Sequence, residues 1–306
     1  MYNKIVIIQG ETANKNFMHA YGYDKPTTPF LSSLHKKNEL TLFNAIAPSN
    51  QTRYSVPMIF TKANVQDWHQ NYTHSASILT YFREYGYKTF WISNQGQRGE
   101  HEDYITNIAM EADITTFLNH GVSKSAHSDR ILSNFVKNQT ATTSPEVYVL
   151  HLMGSHFAYR SRYERKDALF TKPKNIIEEY ENTIYLTDFI IKDIYKYFNR
   201  DGNRLLLVYL SDHGEVVNLE KHGHGLDPTY ADEYDIPLAV FSNIENERIN
   251  ELKQDNINHT INAESINNFI MYITGLDNNK SISYSDTIFS LDPENKYSYH
   301  ALKYYK

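Results

Sequence analysis

The sequence predicts an α/β fold: a three-layer α/β/α sandwich with a mostly parallel central sheet. Two observations predict it. Short, near-continuous apolar runs rich in β-branched residues are typical of strands buried on both faces. Stretches with apolar residues at helical spacing separate these runs, which indicates helices covering the sheet. The strand-like runs occupy residues 4–8, 88–92, 147–153, 204–210 and 236–241.

Helical spacing predicts helices over residues 74–86, 176–198 and 264–274. The second of these follows Pro173, and Gly275 is placed to end the third. The sequence contains no internal repeat, low-complexity tract or linker rich in Pro, Gly and Ser. We therefore expect a single domain over residues 1–306.

Composition excludes several classes of protein. The 306 residues carry a net charge of −6 without a long basic run, so nucleic acid is not an expected partner. The chain has no cysteine, which excludes disulfides and a thiolate nucleophile. Its apolar runs are shorter than the roughly 18–20 residues that span a bilayer. We expect a soluble chain, with a monomer as the default.

One basic segment, YRSRYERK at residues 159–166, allows two interpretations. Because it is short and mixed in sign, a solvated loop is slightly favoured. The alternative is a binding site for anionic head groups.

Polar side chains follow four of the predicted strands at the point where each strand ends. Parallel strands deliver their carboxyl ends to one edge of a sheet, where ligands of open α/β folds bind. We therefore expect these side chains to converge: Gly10-Glu11-Thr12, Asn94-Gln95, Gly154-Ser155-His156 and Asp212-His213-Gly214-Glu215.

Glu11, Asp212 and His213 offer oxygen and nitrogen ligands that suit zinc. In the turn beyond a strand, the adjacent Asp212 and His213 can both face one ion. The alternative is structural, with Asp212 capping a helix and Glu11 lying at a helix N-terminus.

Thr52 is the candidate nucleophile. It lies in a polar loop directly before an apolar helix, where free amides and the helix dipole favour an attached phosphoryl group. Zinc coordination would lower the pKa of its hydroxyl. The alternative is that Thr52 or Ser49 serves only as an N-cap.

Three histidines complete the candidate site. His156 follows a strand end, and His222 and His224 lie in the glycine-flanked segment HGHG. Their possible roles are protonation of a leaving alkoxide, binding of phosphate oxygens, or ligation of a second metal.

The sequence resembles the catalytic domain of bacterial phosphoethanolamine transferases, which belong to the alkaline phosphatase and sulfatase superfamily. Nine segments carry the resemblance, in family order: VIIQGET (6–12), YGY with TTPFL (21–31), TRYSVP (52–57), FWISNQ (90–95), HLMGSH (151–156), YENTIYLTD (180–188), YLSDHGE (209–215), HGHG (222–225) and DIPLAVF (235–241).

This resemblance implies an alkaline-phosphatase-like fold and a role for each candidate residue. The implied zinc ligands are Glu11, Thr52, Asp212 and His213, with room for a second zinc ion. Thr52 would carry the phosphoethanolamine group, and His156 and His224 would bind it and assist proton transfer. The implied substrate-binding set is His156, His222, His224, Glu215 and Asn94.

The implied reaction transfers phosphoethanolamine from phosphatidylethanolamine to a glycolipid or glycan acceptor, such as lipid A or a core sugar, through a phosphothreonine intermediate. Members of the family usually carry disulfides and an N-terminal membrane domain, and neither is found here. We therefore expect the chain to be a soluble fragment that works at the periplasmic face of the inner membrane, at the membrane surface.

Rival functions remain. A phosphoglycerol transferase or a phosphodiesterase of the same superfamily would use similar residues, and an inactive metal-binding module would retain them. A sulfatase activity is disfavoured, because the chain has no cysteine and Ser55-Val56-Pro57-Met58-Ile59 lacks the required arginine.

Overall fold

An eight-stranded β-sheet runs through the centre of the protein in the computed structural model. The structure describes residues 1–68, 75–97, 103–119, 128–138 and 144–306. The strands of the sheet and of two small hairpins are β1 (Lys4–Gly10), β2 (Leu40–Ile46), β3 (Lys88–Ser93), β4 (Ile114–Phe117), β5 (Glu146–His151), β6 (Leu205–Ser211), β7 (Val216–Val217), β8 (His222–Gly223), β9 (Asp235–Ser242), β10 (Ile261–Asn262), β11 (Thr287–Phe289) and β12 (Lys296–Ser298).

The strand order of the sheet is β10-β2-β9-β6-β1-β5-β3-β4. β1 pairs in parallel with both β5 and β6, and β3 pairs in parallel with β4 and β5. β9 runs antiparallel to its two neighbours, β2 and β6. The prediction of a mostly parallel sheet is confirmed, and β9 is the exception to it.

Helices cover both faces of the sheet, which confirms the three-layer prediction. Ile5 and Ile7 of β1 belong to one apolar cluster, while Val6 and Ile8 belong to a second cluster on the opposite face. The helices of the described residues are α1 (Pro29–Lys36), α2 (Thr52–Phe60), α3 (Ile78–Glu84), α4 (Asp103–Ala109), α5 (Arg130–Lys137), α6 (Ile176–Phe198), α7 (Glu247–Asn256) and α8 (Ile266–Thr274).

The three predicted helices correspond to α3, α6 and α8. Helix α6 has the predicted bounds, and Asn175 caps its first turn by accepting a hydrogen bond from the Glu178 amide. Gly275, with φ of 77°, ends α8 as predicted. Helix α3 is shorter than predicted, and residue 74 of that prediction lies outside the described residues.

Seven strands of the described residues have no counterpart in the sequence prediction, and β2 and β4 are the longest of them. β2 and β4 lie near the two edges of the sheet, where polar side chains interrupt the apolar run. Asn44 of β2 is exposed, and Thr115 and Thr116 of β4 are half-buried. β2 matters for the site, because the loop that follows it leads to Thr52.

Helix α1 receives its N-terminal cap from another helix. The side chain of Thr28, at the N-cap position, makes no capping hydrogen bond. Instead, the buried carboxylate of Asp188 on α6 accepts hydrogen bonds from the amides of Phe30 (2.7 Å) and Leu31 (2.9 Å). Asp188 therefore joins α1 to α6 at a point where free amides would otherwise be buried.

We expect Asp188→Ala to lower the free energy of unfolding by about 1–3 kcal/mol, because it leaves the two amides unpaired. Urea unfolding would measure this loss. The control is Asp193→Ala on the same helix, which removes a surface pair with Lys137 (3.1 Å) and should cost less than about 1 kcal/mol. Equal stabilities of the two variants would contradict the capping role.

Candidate active site

The strand ends converge because of the register between β1 and β6. Gly10 at the end of β1 pairs with Ser211 at the end of β6. The next residue of each chain segment is therefore Glu11 on one side and Asp212 on the other. Neither residue begins a helix in the structure, so the capping alternatives do not apply.

Glu11, Asp212 and His213 form a buried cluster suited to a metal ion. One ligand atom of each lies within 4.8 Å of the other two, and all three side chains are buried. His213 Nε2 lies 3.5 Å from Glu11 Oε1 and 3.5 Å from Asp212 Oδ2. His213 Nδ1 faces the carbonyl oxygen of Gly214 at 2.8 Å, which directs Nε2 towards the carboxylates.

Thr52 is the first residue of α2, and its hydroxyl points into this cluster. Its Oγ1 donates to Glu11 Oε1 at 3.1 Å and lies 3.1 Å from His213 Nε2. The N-cap position belongs to Gln51. The hydroxyl therefore bonds to the cluster rather than capping the helix, and the dipole of α2 points its positive end at the same place.

Burial makes the charges of the cluster interdependent. Burial alone would raise the pKa of Glu11, but the hydrogen bond with His213 and the charges of the site histidines hold it well below its usual range. Burial, and then the charge of Glu11, raises the pKa of Asp212 to about 6. Burial lowers the pKa of His213, yet Asp212 and Glu11 together raise it to about 10. The two carboxylates thus require a positive charge beside them.

The hydrogen bonds of Asp212 fit a metal ligand. Its Oδ1 accepts from the amides of Thr12 (3.3 Å) and His213 (2.9 Å). Its Oδ2 is buried and has no hydrogen-bond partner among the described residues. One oxygen is therefore fixed by the backbone while the other remains for a cation. Two carboxylates, one imidazole and the Thr52 hydroxyl form a donor set that suits zinc.

Gly154 allows the loop after β5 to pack against Glu11. Its φ is +52°, and a Cβ there would lie 2.7 Å from the Glu11 carbonyl oxygen. The Ser155 amide donates to the same carbonyl at 2.9 Å. Asp129 holds the loop from the other side, accepting from the amides of Met153 and Gly154, each at 2.8 Å. The loop presents His156 to the site.

The predicted histidines occupy different places. The His224 ring lies against His213, with centroids 4.3 Å apart, and His156 lies 6.1 Å from His224. His222 is exposed and stacks on Phe157, with centroids 5.6 Å apart. His156 and His224 therefore approach the cluster, while His222 lies at its rim.

The two residues after β3, Asn94 and Gln95, make different contacts. Asn94, predicted to bind substrate, is buried and donates a hydrogen bond to Asp129 at 2.7 Å. Asp129 is the residue that holds the loop carrying His156. Its neighbour Gln95 contacts the cluster: its Nε2 donates to Glu11 Oε2 and to the Leu152 carbonyl, both at 2.9 Å. Side chains alternate between the two faces of a sheet only within a strand, so the sequence does not show which of the two residues after β3 faces the cluster.

The chain is similar in sequence to known proteins. The model of the family described as Sulfatase matches residues 3–279. The chain is 28% identical over 255 residues to phosphoethanolamine transferase EptA of Helicobacter pylori, covering 78% of this chain and 47% of that protein. It is 30% identical over 250 residues to phosphoethanolamine transferase OpgE of Escherichia coli, covering 79% and 46%. The predicted resemblance to phosphoethanolamine transferases is confirmed.

Solved structures show the same fold. The zinc complex of the C-terminal periplasmic domain of EptC from Escherichia coli aligns with a TM-score of 0.81 at 22% identity, covering 99% of this chain and 94% of that one. The integral membrane protein EptA from Neisseria meningitidis aligns with a TM-score of 0.70 at 19% identity, covering 88% and 54%. A protein in the alkaline phosphatase superfamily from Vibrio parahaemolyticus also aligns, with a TM-score of 0.58 at 14% identity, covering 93% and 67%, so the alkaline-phosphatase-like fold is confirmed.

The chain spans about half the length of the relatives that it matches in sequence. Among the residues that the structure describes, none of the helices combines the length and apolar character that crossing a membrane requires.

We expect Asp212→Asn to weaken zinc binding by roughly 100-fold, the upper end of losses at perturbed metal sites, because it removes a buried charge while preserving shape. Titration calorimetry of chelator-treated protein with zinc chloride would measure the affinity. Asp201→Asn, at an exposed position just before β6, is the matched control. Equal affinities in the two variants would contradict a metal site at Asp212.

We expect Gln95→Ala to weaken zinc binding by roughly tenfold, because Glu11 loses the hydrogen bond that orients it. The matched control is Gln97→Ala, whose side chain is exposed two residues further on. The same calorimetric titration applies. A Gln95 variant with wild-type affinity would show that Glu11 is held by its other contacts alone.

Proposed function

The chain belongs to the sulfatase family, and we propose that it is a zinc-dependent phosphoethanolamine transferase. The donor is phosphatidylethanolamine, and the acceptor is a lipopolysaccharide or lipooligosaccharide, at lipid A or a core sugar. The observation that carries this proposal is the Thr52 hydroxyl, which hydrogen-bonds Glu11 and His213 at the start of a helix. The similarity to named phosphoethanolamine transferases supports the choice of transferred group.

Glu11, Asp212, His213 and Thr52 are the residues that would hold the zinc ion. When bound, zinc supplies Lewis acidity that lowers the pKa of the threonine hydroxyl. The N-terminus of α2 gives further help, because its free amides and dipole favour the negative phosphoryl oxygens beside Thr52. His156 and His224 are close enough to each other to bind the same phosphoryl group or a second zinc ion.

The reaction has two halves. In the first, Thr52 Oγ1 gives up its proton to solvent and forms a bond to the donor phosphorus, while the bond from phosphorus to the diacylglycerol oxygen breaks. Diacylglycerol leaves with a proton supplied by His156 or His224. In the second, an acceptor oxygen attacks the same phosphorus, and the bond to Thr52 Oγ1 breaks. Charge that develops on the phosphoryl oxygens is stabilised by the free amides at the N-terminus of α2.

The residue at the nucleophile position argues against sulfate ester hydrolysis. A sulfatase requires a cysteine or serine that is converted to formylglycine, and Thr52 cannot give that group. Ser55, in the segment considered above, is buried and donates to the Ser49 carbonyl at 2.7 Å. It is therefore committed to the helix start and does not reach the cluster by any described contact.

The proposed partners follow from the donor. Phosphatidylethanolamine resides in a membrane, so the protein must act at a membrane surface, which we place at the periplasmic face of the inner membrane. The fold similarity to the periplasmic domain of EptC supports that choice. The net charge of −6 gives no reason to add nucleic acid to the partners.

We expect zinc-loaded protein to gain the mass of one phosphoethanolamine group on Thr52 when incubated with phosphatidylethanolamine. Intact-protein mass spectrometry with peptide mapping would measure the adduct. Thr52→Ala should form none, while Thr52→Ser, which keeps a hydroxyl, should form some.

The outcomes separate the alternatives. Full transfer activity of zinc-bound Thr52→Ala would exclude the covalent mechanism. Wild-type protein that binds zinc and forms no adduct would indicate another donor head group, such as phosphoglycerol, or direct hydrolysis. Release of free phosphoethanolamine in the presence of a glycolipid acceptor would indicate a phosphodiesterase.

A further inference from the structure

Glu215 lies behind His224, on the side of the ring that faces the protein interior. The Glu215 carboxylate is fully buried, and its Oε2 lies 3.6 Å from His224 Nδ1. Among the described residues neither of these two atoms has a hydrogen-bond partner, and both are shielded from solvent. The His224 side chain is nevertheless 24% exposed, so its exposed edge is the part of the ring away from Nδ1.

The orientation of the Glu215 carboxylate is fixed by a second contact. The buried Tyr159 hydroxyl donates to Glu215 Oε1. The Tyr159 ring packs edge-on against Tyr180, whose hydroxyl donates to the Thr12 carbonyl at 2.7 Å. Thr12 directly follows Glu11, so this chain of contacts ties the carboxylate behind His224 to the strand end that carries the metal cluster.

Two buried polar atoms that face each other without other partners are costly unless they bond to one another. Tyr159 donates to Glu215 Oε1, which leaves Oε2 as an acceptor, so a hydrogen bond between Oε2 and the ring takes its proton from His224 Nδ1. A small movement of the ring would close the gap from 3.6 Å to a normal hydrogen-bond length. In neutral His224, Nε2 would then carry the free lone pair on the exposed part of the ring.

We propose that Glu215 is a positioning residue, held by Tyr159, that fixes His224 as the Nδ1–H tautomer with its Nε2 lone pair directed into the active site. This inference rests on the proposed function for its catalytic meaning. It assigns neutral His224 a basic role. In the second half-reaction, the acceptor hydroxyl proton passes to Nε2 while the acceptor oxygen bonds to phosphorus and the bond to Thr52 Oγ1 breaks.

The substitution Glu215→Gln tests this role, because it keeps the shape and reverses the hydrogen-bond polarity. If the glutamine accepts from Tyr159 with its oxygen, its NH₂ group faces His224 Nδ1. That group can only donate, so His224 must take the Nε2–H tautomer. We expect kcat for transfer to fall about 10–100-fold, the usual loss when the partner of a site histidine is changed, while the KM for the donor changes little. Tyr159→Phe should give a smaller loss in the same direction.

The deciding measurement is the tautomer itself. Nitrogen-15 NMR of zinc-loaded protein with labelled histidine distinguishes Nδ1–H from Nε2–H rings, and the His224 signals are assigned by their loss in His224→Gln. We expect Nδ1–H in wild type and in the control Glu220→Gln, an exposed position on the same loop. We expect Nε2–H in Glu215→Gln.

An Nε2–H ring in the wild type would overturn the inference without need of any variant, and so would a Glu215→Gln protein with wild-type tautomer and kcat. Because the NMR readout does not depend on turnover, the two proposals fail separately. A protein with the expected tautomer but no transferase activity would retain the positioning role and lose the proposed function.

Discussion

The structure of the site depends on two carboxylates, Glu11 and Asp212, buried side by side at the ends of adjacent parallel strands. Two such charges in a water-poor environment repel each other and lose their hydration, so they persist only with a cation between them. The pKa of His213 is raised to about 10 for the same reason, because a proton on its ring places a positive charge beside the two carboxylates. A divalent ion would compensate the negative charge of the site more fully, because its charge of +2 balances both carboxylates. This accounts for the contacts that the Thr52 hydroxyl, the His213 imidazole and the Gln95 amide make with these two residues.

Buried carboxylates also hold the loops that carry His156, His224 and Thr52. Asp129 accepts two backbone amides of the loop that presents His156. Glu233 accepts the Leu226 amide at 3.0 Å, two residues beyond His224, and the Asn50 side chain at 2.9 Å, two residues before Thr52. Charge-assisted hydrogen bonds to backbone amides are among the stronger neutral-pH contacts available to a loop. The site is therefore fixed by contacts spread over several chain segments.

The sequence carried enough information for the sheet and for the clustering of Glu11, Asp212 and His213 with Thr52, because each depends on a local pattern. A buried strand that ends in Glu11 or in Asp212-His213 is visible without a structure, and parallel strands bring such ends together. It could not choose between Asn94 and Gln95, because beyond a strand end the backbone direction decides which of two neighbours faces the site. It also missed β2, whose exposed Asn44 breaks the apolar pattern. The contact between Glu215 and Tyr159 joins residues 56 positions apart and has no local signature.

Because the chain has no cysteine, its loops are restrained by contacts other than disulfides, among them those of buried carboxylates. The family resemblance leads one to expect disulfides, which restrain loops chiefly by limiting the unfolded chain. Here Asp129 and Glu233 restrain the loops that carry His156 and His224, and they act in the folded state through their hydrogen bonds. Such restraints respond to protonation, whereas disulfides respond to reductants. Burial raises the pKa of both carboxyl groups. Protonation of these two carboxyl groups, which their raised pKa brings to higher pH, would therefore weaken the hydrogen bonds that they accept from the loop amides.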